Sequence, residues 1–201
     1  MLIKISYQDC LNNHPLFPRV DNANEQLFYP KVRASYILRL HSRSAKGHAR
    51  TLSLELPRLI GHMNIGSLIF LGDSKRAWRY QESNYPPVHE AHLYLERNKV
   101  GKRFDGALEV TLEELPAFVK HLYWLVRCNA ALPVFHFMND QQDFVGSICQ
   151  YGNVHISTLS TSADNLFPVA LEKSNFINAD SAHCYDTFSN KSQISNRKTI
   201  A

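Results

Sequence analysis

Between Leu115 and Val126 the apolar residues Leu115, Phe118, Val119, Leu122, Leu125 and Val126 recur at three- and four-residue spacing. That spacing puts one apolar stripe on a helix and leaves its other side to water. A stripe of this width must be covered, so the remainder of the chain has to supply a surface for it. Thr111-Leu-Glu-Glu114 is a capping-box pattern, and Pro116 is tolerated in the first turn of a helix that starts near Glu114. With Asn129 as the stop, a main helix is expected over roughly Leu112 to Cys128.

The covering surface is predicted to be sheet. Met1 to Tyr7 reads as a strand with a charge in its middle, and Ser67 to Leu71 is a buried strand closed by Gly72-Asp73. Tyr36 to Leu40 is mostly apolar and Thr51 to Leu56 alternates strictly, which predicts a hairpin whose long basic loop is Ser42 to Ala49, followed by a short helix over Pro57 to Met63. Ala91 to Glu96 also alternates and is expected to turn through Asn98 to Gly101 into a strand over Ala107 to Val110. Three more strands are predicted at Val134 to Met138, Phe144 to Gln150 and Val154 to Leu159, the last two joined by Tyr151-Gly152-Asn153. The class is α+β, a mostly antiparallel sheet packed on one main amphipathic helix.

All eight glycines lie at or before Gly152, and fifteen of the last forty-two residues are Ser, Thr or Asn. This shift divides the chain into one α+β domain over residues 1–160 and a polar C-terminal extension over 161–201. The extension is expected to dock in part near 165–173, and residues after about Asp186 to form a weakly held end. A hydrophobic content of 44% excludes a wholly disordered, collagenous or coiled-coil chain. No stretch approaches the roughly 18 to 20 apolar residues of a membrane span, and the N-terminus lacks the order of a secretory signal, so no membrane partner and a cytoplasmic location are expected. The oligomeric state stays open.

Several chemistries are disfavoured by spacing. Cys10, Cys128, Cys149 and Cys184 are dispersed without a C-x-x-C pair, so free thiols, no metal and no cofactor are expected. His89-Glu-Ala-His92 is not the H-E-x-x-H of a zinc peptidase, because the second histidine falls at i+3 and a strand would point the two rings apart. No nucleophile elbow or glycine-rich phosphate loop occurs. His136, His155 and Cys149 fall on predicted strands and would make a nucleophile–base set if pairing joined them, although His136 as an outward residue and Cys149 as core filler is the favoured reading.

Charge distribution is the strongest signal. The net charge is only +4, yet Lys31, Arg33, Arg39, Arg43, Lys46 and Arg50 occupy twenty residues that contain no acid. Lys75, Arg76 and Arg79 interleave with Trp78 and Tyr80 after the next strand, and Arg97, Lys99, Lys102 and Arg103 crowd a further turn. Cations hold phosphates regardless of sequence, and aromatic faces stack on unpaired bases. The leading expectation is a non-enzymatic protein that contacts a polyanion, single-stranded nucleic acid or RNA, through Arg39, Arg43, Lys46, Arg50, Lys75, Arg76, Trp78, Arg79, Lys102 and Arg103.

Two alternatives stand behind it. Trp78, Tyr80, Tyr85, Tyr94, Tyr123 and Trp124 are residues that protein interfaces favour, as in an inhibitor, an immunity protein or an assembly subunit. Glu55 with Asp73-Ser74-Lys75 resembles the arrangement in metal-dependent nucleases, where two carboxylates hold the ion and a lysine stabilises charge. Glu55, Asp73 and Lys75 are then the catalytic candidates.

Overall fold

A computed structural model of the chain describes residues 2–21, 26–179 and 184. β1 (Ile3–Ile5) leads into α1 (Tyr7–Asn13), and the short strands β2 (Arg19–Asp21) and β3 (Gln26–Phe28) precede β4 (Ala34–Arg39). α2 (Ala45–His62) crosses to β5 (Ser67–Gly72), and α3 (Pro86–Arg97) comes before β6 (Ala107–Thr111). α4 (Leu115–Cys128) is followed by β7 (Phe135–Met138), β8 (Phe144–Ile148) and β9 (Val154–Thr158), then by α5 (Thr161–Glu172) and β10 (Ile177–Asn178).

Eight strands share one sheet in the order β1-β6-β5-β7-β8-β9-β4-β10, and every neighbouring pair is antiparallel. β2 and β3 form a separate antiparallel pair. The fold is α+β, with α2, α3 and α4 packed together on one face. Successive residues of β5 point to opposite sides. Leu68 and Phe70 therefore join Leu52 and Leu56 of α2 and Phe118 and Leu122 of α4, while Ile69 and Leu71 meet Cys10 and Phe17 in a smaller cluster beneath α1. No helix among the described residues is long and apolar enough to cross a membrane.

The expected strand at Thr51 to Leu56 is part of α2, an 18-residue helix longer than α4. Leu52, Leu54 and Leu56 satisfy alternation, but Leu52, Leu56, Leu59 and Ile60 also satisfy the helical period, and the burial decides between them. Those four are fully buried, whereas Leu54, on the far side of the helix, is 54% exposed. Pro57 sits inside the helix at the loss of one backbone bond. The expected loop Ser42 to Ala49 is accordingly the end of a short turn, closed at Ser44, whose hydroxyl accepts the Gly47 N–H, followed by the first five residues of α2.

The strand expected at Ala91 to Glu96 is likewise helical, because Pro86 and Pro87 fix the first turn of α3 and Val88, Ala91, His92 and Leu95 form its buried stripe. His92 is therefore buried and His89 exposed, and the two share a helix rather than a strand. Asn98 to Gly101 ends α3: Lys99, at φ 59°, donates to Glu96 O, and Val100 donates to Leu95 O. This is a Schellman stop with lysine where glycine is common.

β5 to β9 and α4 fall where periodicity placed them, with the α4 cap at Glu114 and Pro116 in the first turn. Gly152 turns the β8–β9 hairpin at φ +82°, and an added Cβ there would strike His48 and Tyr123. In the C-terminal extension, α5 places Phe167 and Ala170 in the main cluster and β10 pairs with β4. The weakly held end after Asp186 lies outside the described residues.

Leu122 is 2% exposed and Lys120 is exposed on the same helix. Leu122→Ala should therefore cost about 2–5 kcal/mol in a denaturant melt, with Lys120→Ala nearly neutral. Burial lowers the pKa of His136 from 6.5 to about 4. Between those values the unfolded chain binds the extra proton, so stability should be intact above pH 6.5 and fall as the pH drops toward 4. Melts across this range should show a shallower acid loss for His136→Phe.

Candidate polyanion-binding groove

β4 and β5 are separated by β9, β8 and β7, and four antiparallel steps make the two strands parallel. Both therefore end at one edge of the sheet, about 19 Å apart at the usual strand spacing. Arg43, Lys46 and Arg50 follow β4 and Lys75, Arg76 and Arg79 follow β5, so both groups leave from this edge, whereas Lys31 and Arg33 precede β4 at its other end. The third joins them, since Trp78 N–H donates to Phe104 O and Lys102 Nζ lies 3.3 Å from a Glu82 oxygen. The β8–β9 turn reaches the same edge and is tied to α2 by His48 Nε2, 2.9 Å from Gly152 O.

Only part of the expected basic surface is available to a ligand. Trp78 is 1% exposed, stacks on Phe135 with ring centroids 4.0 Å apart, and donates its indole N–H to Gly106 O at 2.8 Å. The expectation that Trp78 stacks on a base is thereby corrected, because its faces and its donor are all committed inside the protein. Arg79 is 8% exposed and pairs with Glu82 at 2.7 Å and Glu96 at 3.5 Å, so its charge is spent internally. Arg76 donates to Ala131 O and lies over the Tyr80 ring, and Lys75 lies over the Tyr7 ring. Arg39 is half-buried within β4 opposite Ile177. Lys102 is held by Glu82, and Arg103 is exposed in the same turn.

Arg43, Lys46 and Arg50 are exposed and form no ion pair among the described residues. Lys46 and Arg50 line a groove of about 730 Å³ between α2, α3 and α4, where they meet Lys120 of α4. Tyr85, 39% exposed, stands edge-on to Trp124 across this groove, with ring centroids 6.3 Å apart. Glu90 is the one acid among the lining residues. The first turn of α2 contains no acid and its N–H groups carry the positive end of the helix dipole, so the local field favours an anion. Next to Lys120, His121 stacks on Tyr94, and burial with the Lys120 charge lowers its pKa to about 4.

Lys120 carries no signal in the chain order that would single it out. It reads as the wet side of α4, and only the packing of α2 and α3 against α4 turns it into a groove wall.

The nuclease candidates are not brought together. Glu55 lies in the helical layer, where its carboxylate accepts from Arg58 Nη1 and from the main-chain and side-chain N–H groups of Asn175. Asp73 lies at the end of β5, bonded to Val134 N–H and near Tyr7 on the α1 side, where burial raises the tyrosine pKa and the Asp73 charge adds to it. Burial raises the Asp73 pKa in turn, against hydrogen bonds from Val134 and Ser74.

The strand residues Cys149 and His155 do meet, and Cys184 completes the group. His136 does not join it: Ser147 stands between His136 and His155 in the strand register, and Tyr29 packs on the His136 ring. Comparisons of the chain with protein-family models, curated proteins and solved structures give no match.

Trp78→Ala should cost about 3–5 kcal/mol by thermal or chemical melt, as for any large buried aromatic. Tyr80→Ala, at a 41% exposed position, should leave the melt nearly unchanged.

Proposed function

We propose that this chain is a non-enzymatic binding protein that holds a polyanion, single-stranded nucleic acid in particular, in the groove between α2, α3 and α4. One observation carries the reading: Lys46, Arg50 and Lys120, without ion-pair partners among the described residues, converge with the half-exposed Tyr85 ring on one concave surface. The cations contact successive phosphates, and the tyrosine offers a face to an unpaired base. Arg43, one residue before the α2 cap, extends the basic surface along the sheet edge. Double-stranded ligands suit the site less well, since a base must be unstacked to reach Tyr85.

A second reading, a protein partner, is favoured by Leu54 of α2 and Leu166 and Val169 of α5, which are 45–54% exposed. Such residues suit an apolar contact that would be insensitive to salt.

The two readings separate in a salt titration of oligonucleotide binding. Replacing Lys46, Arg50 and Lys120 together by alanine should reduce the log–log slope by about 2, at about 0.7 per phosphate contact. Tyr85→Ala should cost about 1–3 kcal/mol with little change of slope, and Lys102→Ala with Arg103→Ala should leave both unchanged. Binding by the triple variant equal to that of the parent chain contradicts the proposal.

A further inference from the structure

We propose that Cys149, His155 and Cys184 form a binding site for one zinc-class divalent cation, with three protein ligands and a fourth position open to a cavity. This inference is independent of the polyanion groove and uses none of its residues.

Three elements build the cluster. Cys149 follows β8 directly, and its N–H is fixed by Asn153 O at 3.0 Å across the hairpin. His155 lies in β9 opposite Ile37 and Ser147, with Leu71 and His136 farther along the same row, so it shares the sheet face that carries α1. Cys184 comes from the chain beyond β10 and places its Sγ 3.1 Å from His155 Nε2. The two sulfurs and the imidazole nitrogen all lie within 4.8 Å of one another. Tetrahedral zinc, with bonds of about 2.3 Å to sulfur and about 2.0–2.1 Å to nitrogen, has ligand–ligand edges of about 3.4–3.8 Å. The side chains reach that geometry with small rotations and no change of fold.

The donor set selects the class of ion. Two thiols and an imidazole suit zinc or its close analogues, whereas magnesium and calcium require oxygen ligands. The donors are already gathered on one sulfur: Cys149 hydrogen-bonds to Cys184, and His155 Nε2 bonds the same Cys184 Sγ. The cluster borders a cavity of about 530 Å³ walled by Pro133, Val134 and Tyr151, which leaves room for water or a small ligand as the fourth donor. Chain spacing hid the site, since Cys149 and Cys184 are 35 positions apart and meet only because β10 returns the chain to the sheet. Metal binding would thus tie Cys184 to β8 and β9.

The test uses the full chain, reduced and stripped of metal, titrated with Co²⁺ under a non-thiol reductant and then challenged with Zn²⁺. One equivalent of Co²⁺ should give a thiolate-to-cobalt charge-transfer band and intense visible d–d bands, and Zn²⁺ should displace both. Cys149→Ser, His155→Gln and Cys184→Ser should each weaken binding by at least about tenfold, a loss that even outer-sphere changes around a metal can produce. Cys10→Ser and Cys128→Ser should leave the spectrum unchanged. Cys184 is half-exposed, so the fold of Cys184→Ser is checked by an unchanged far-UV spectrum. No charge-transfer band, a band that survives Cys184→Ser, or a Cys149–Cys184 disulfide forming in air with no metal uptake when reduced would each overturn the proposal.

Discussion

The double burial of β5 is the constraint on which the rest of the structure depends. From Leu68 to Gly72 every residue of this strand is buried, so both faces must be covered. Phe70 meets Phe118 of α4 and Phe137 of β7 at centroid distances of 4.7 and 5.3 Å, which fixes the helical layer on one side. Ile69 and Leu71 require α1 and Phe17 on the other. Burying each such side chain contributes about 1.5–3 kcal/mol. With β5 central, α2 must span three intervening strands to connect β4 to it, and that long crossover brings Lys46 and Arg50 beside α3 and α4.

The fold was legible where one periodicity was present and misleading where two overlapped. α4 shows only the helical stripe, and β5 to β9 carry short apolar runs bounded by turn residues, so chain order located them. Leu52-Ser-Leu-Glu-Leu56 obeys both the strand and the helix period, and only the partners of Leu59 and Ile60 in the core break the tie. Ala91 to Glu96 fails in the same way, although the preceding Pro86-Pro87 is a helix-start signal that outweighs a short alternation.

The candidate site was legible as charge and not as shape. An acid-free run of cations survives any error in secondary structure, and Arg43, Lys46 and Arg50 remain exposed although they sit at the start of a helix and not in a hairpin loop. Proximity along the chain is a poor guide to which aromatic accompanies them. Trp78 lies between cations in sequence, yet its N–H is needed by the Gly106 carbonyl inside the core, and Tyr85 takes its place at the groove because it caps α3 beside Trp124. Cys184 shows the same limit from the opposite direction: its partners in space lie 29 and 35 positions away in the chain.

The groove between α2, α3 and α4 is the central claim, and amide and side-chain NMR shift mapping during titration with a short single-stranded oligonucleotide tests it most directly. Perturbations should centre on Lys46, Gly47, Arg50, Tyr85 and Lys120 and saturate together. Perturbations confined to the Lys99–Arg103 turn, or none at concentrations where an unrelated basic protein already binds, would contradict it.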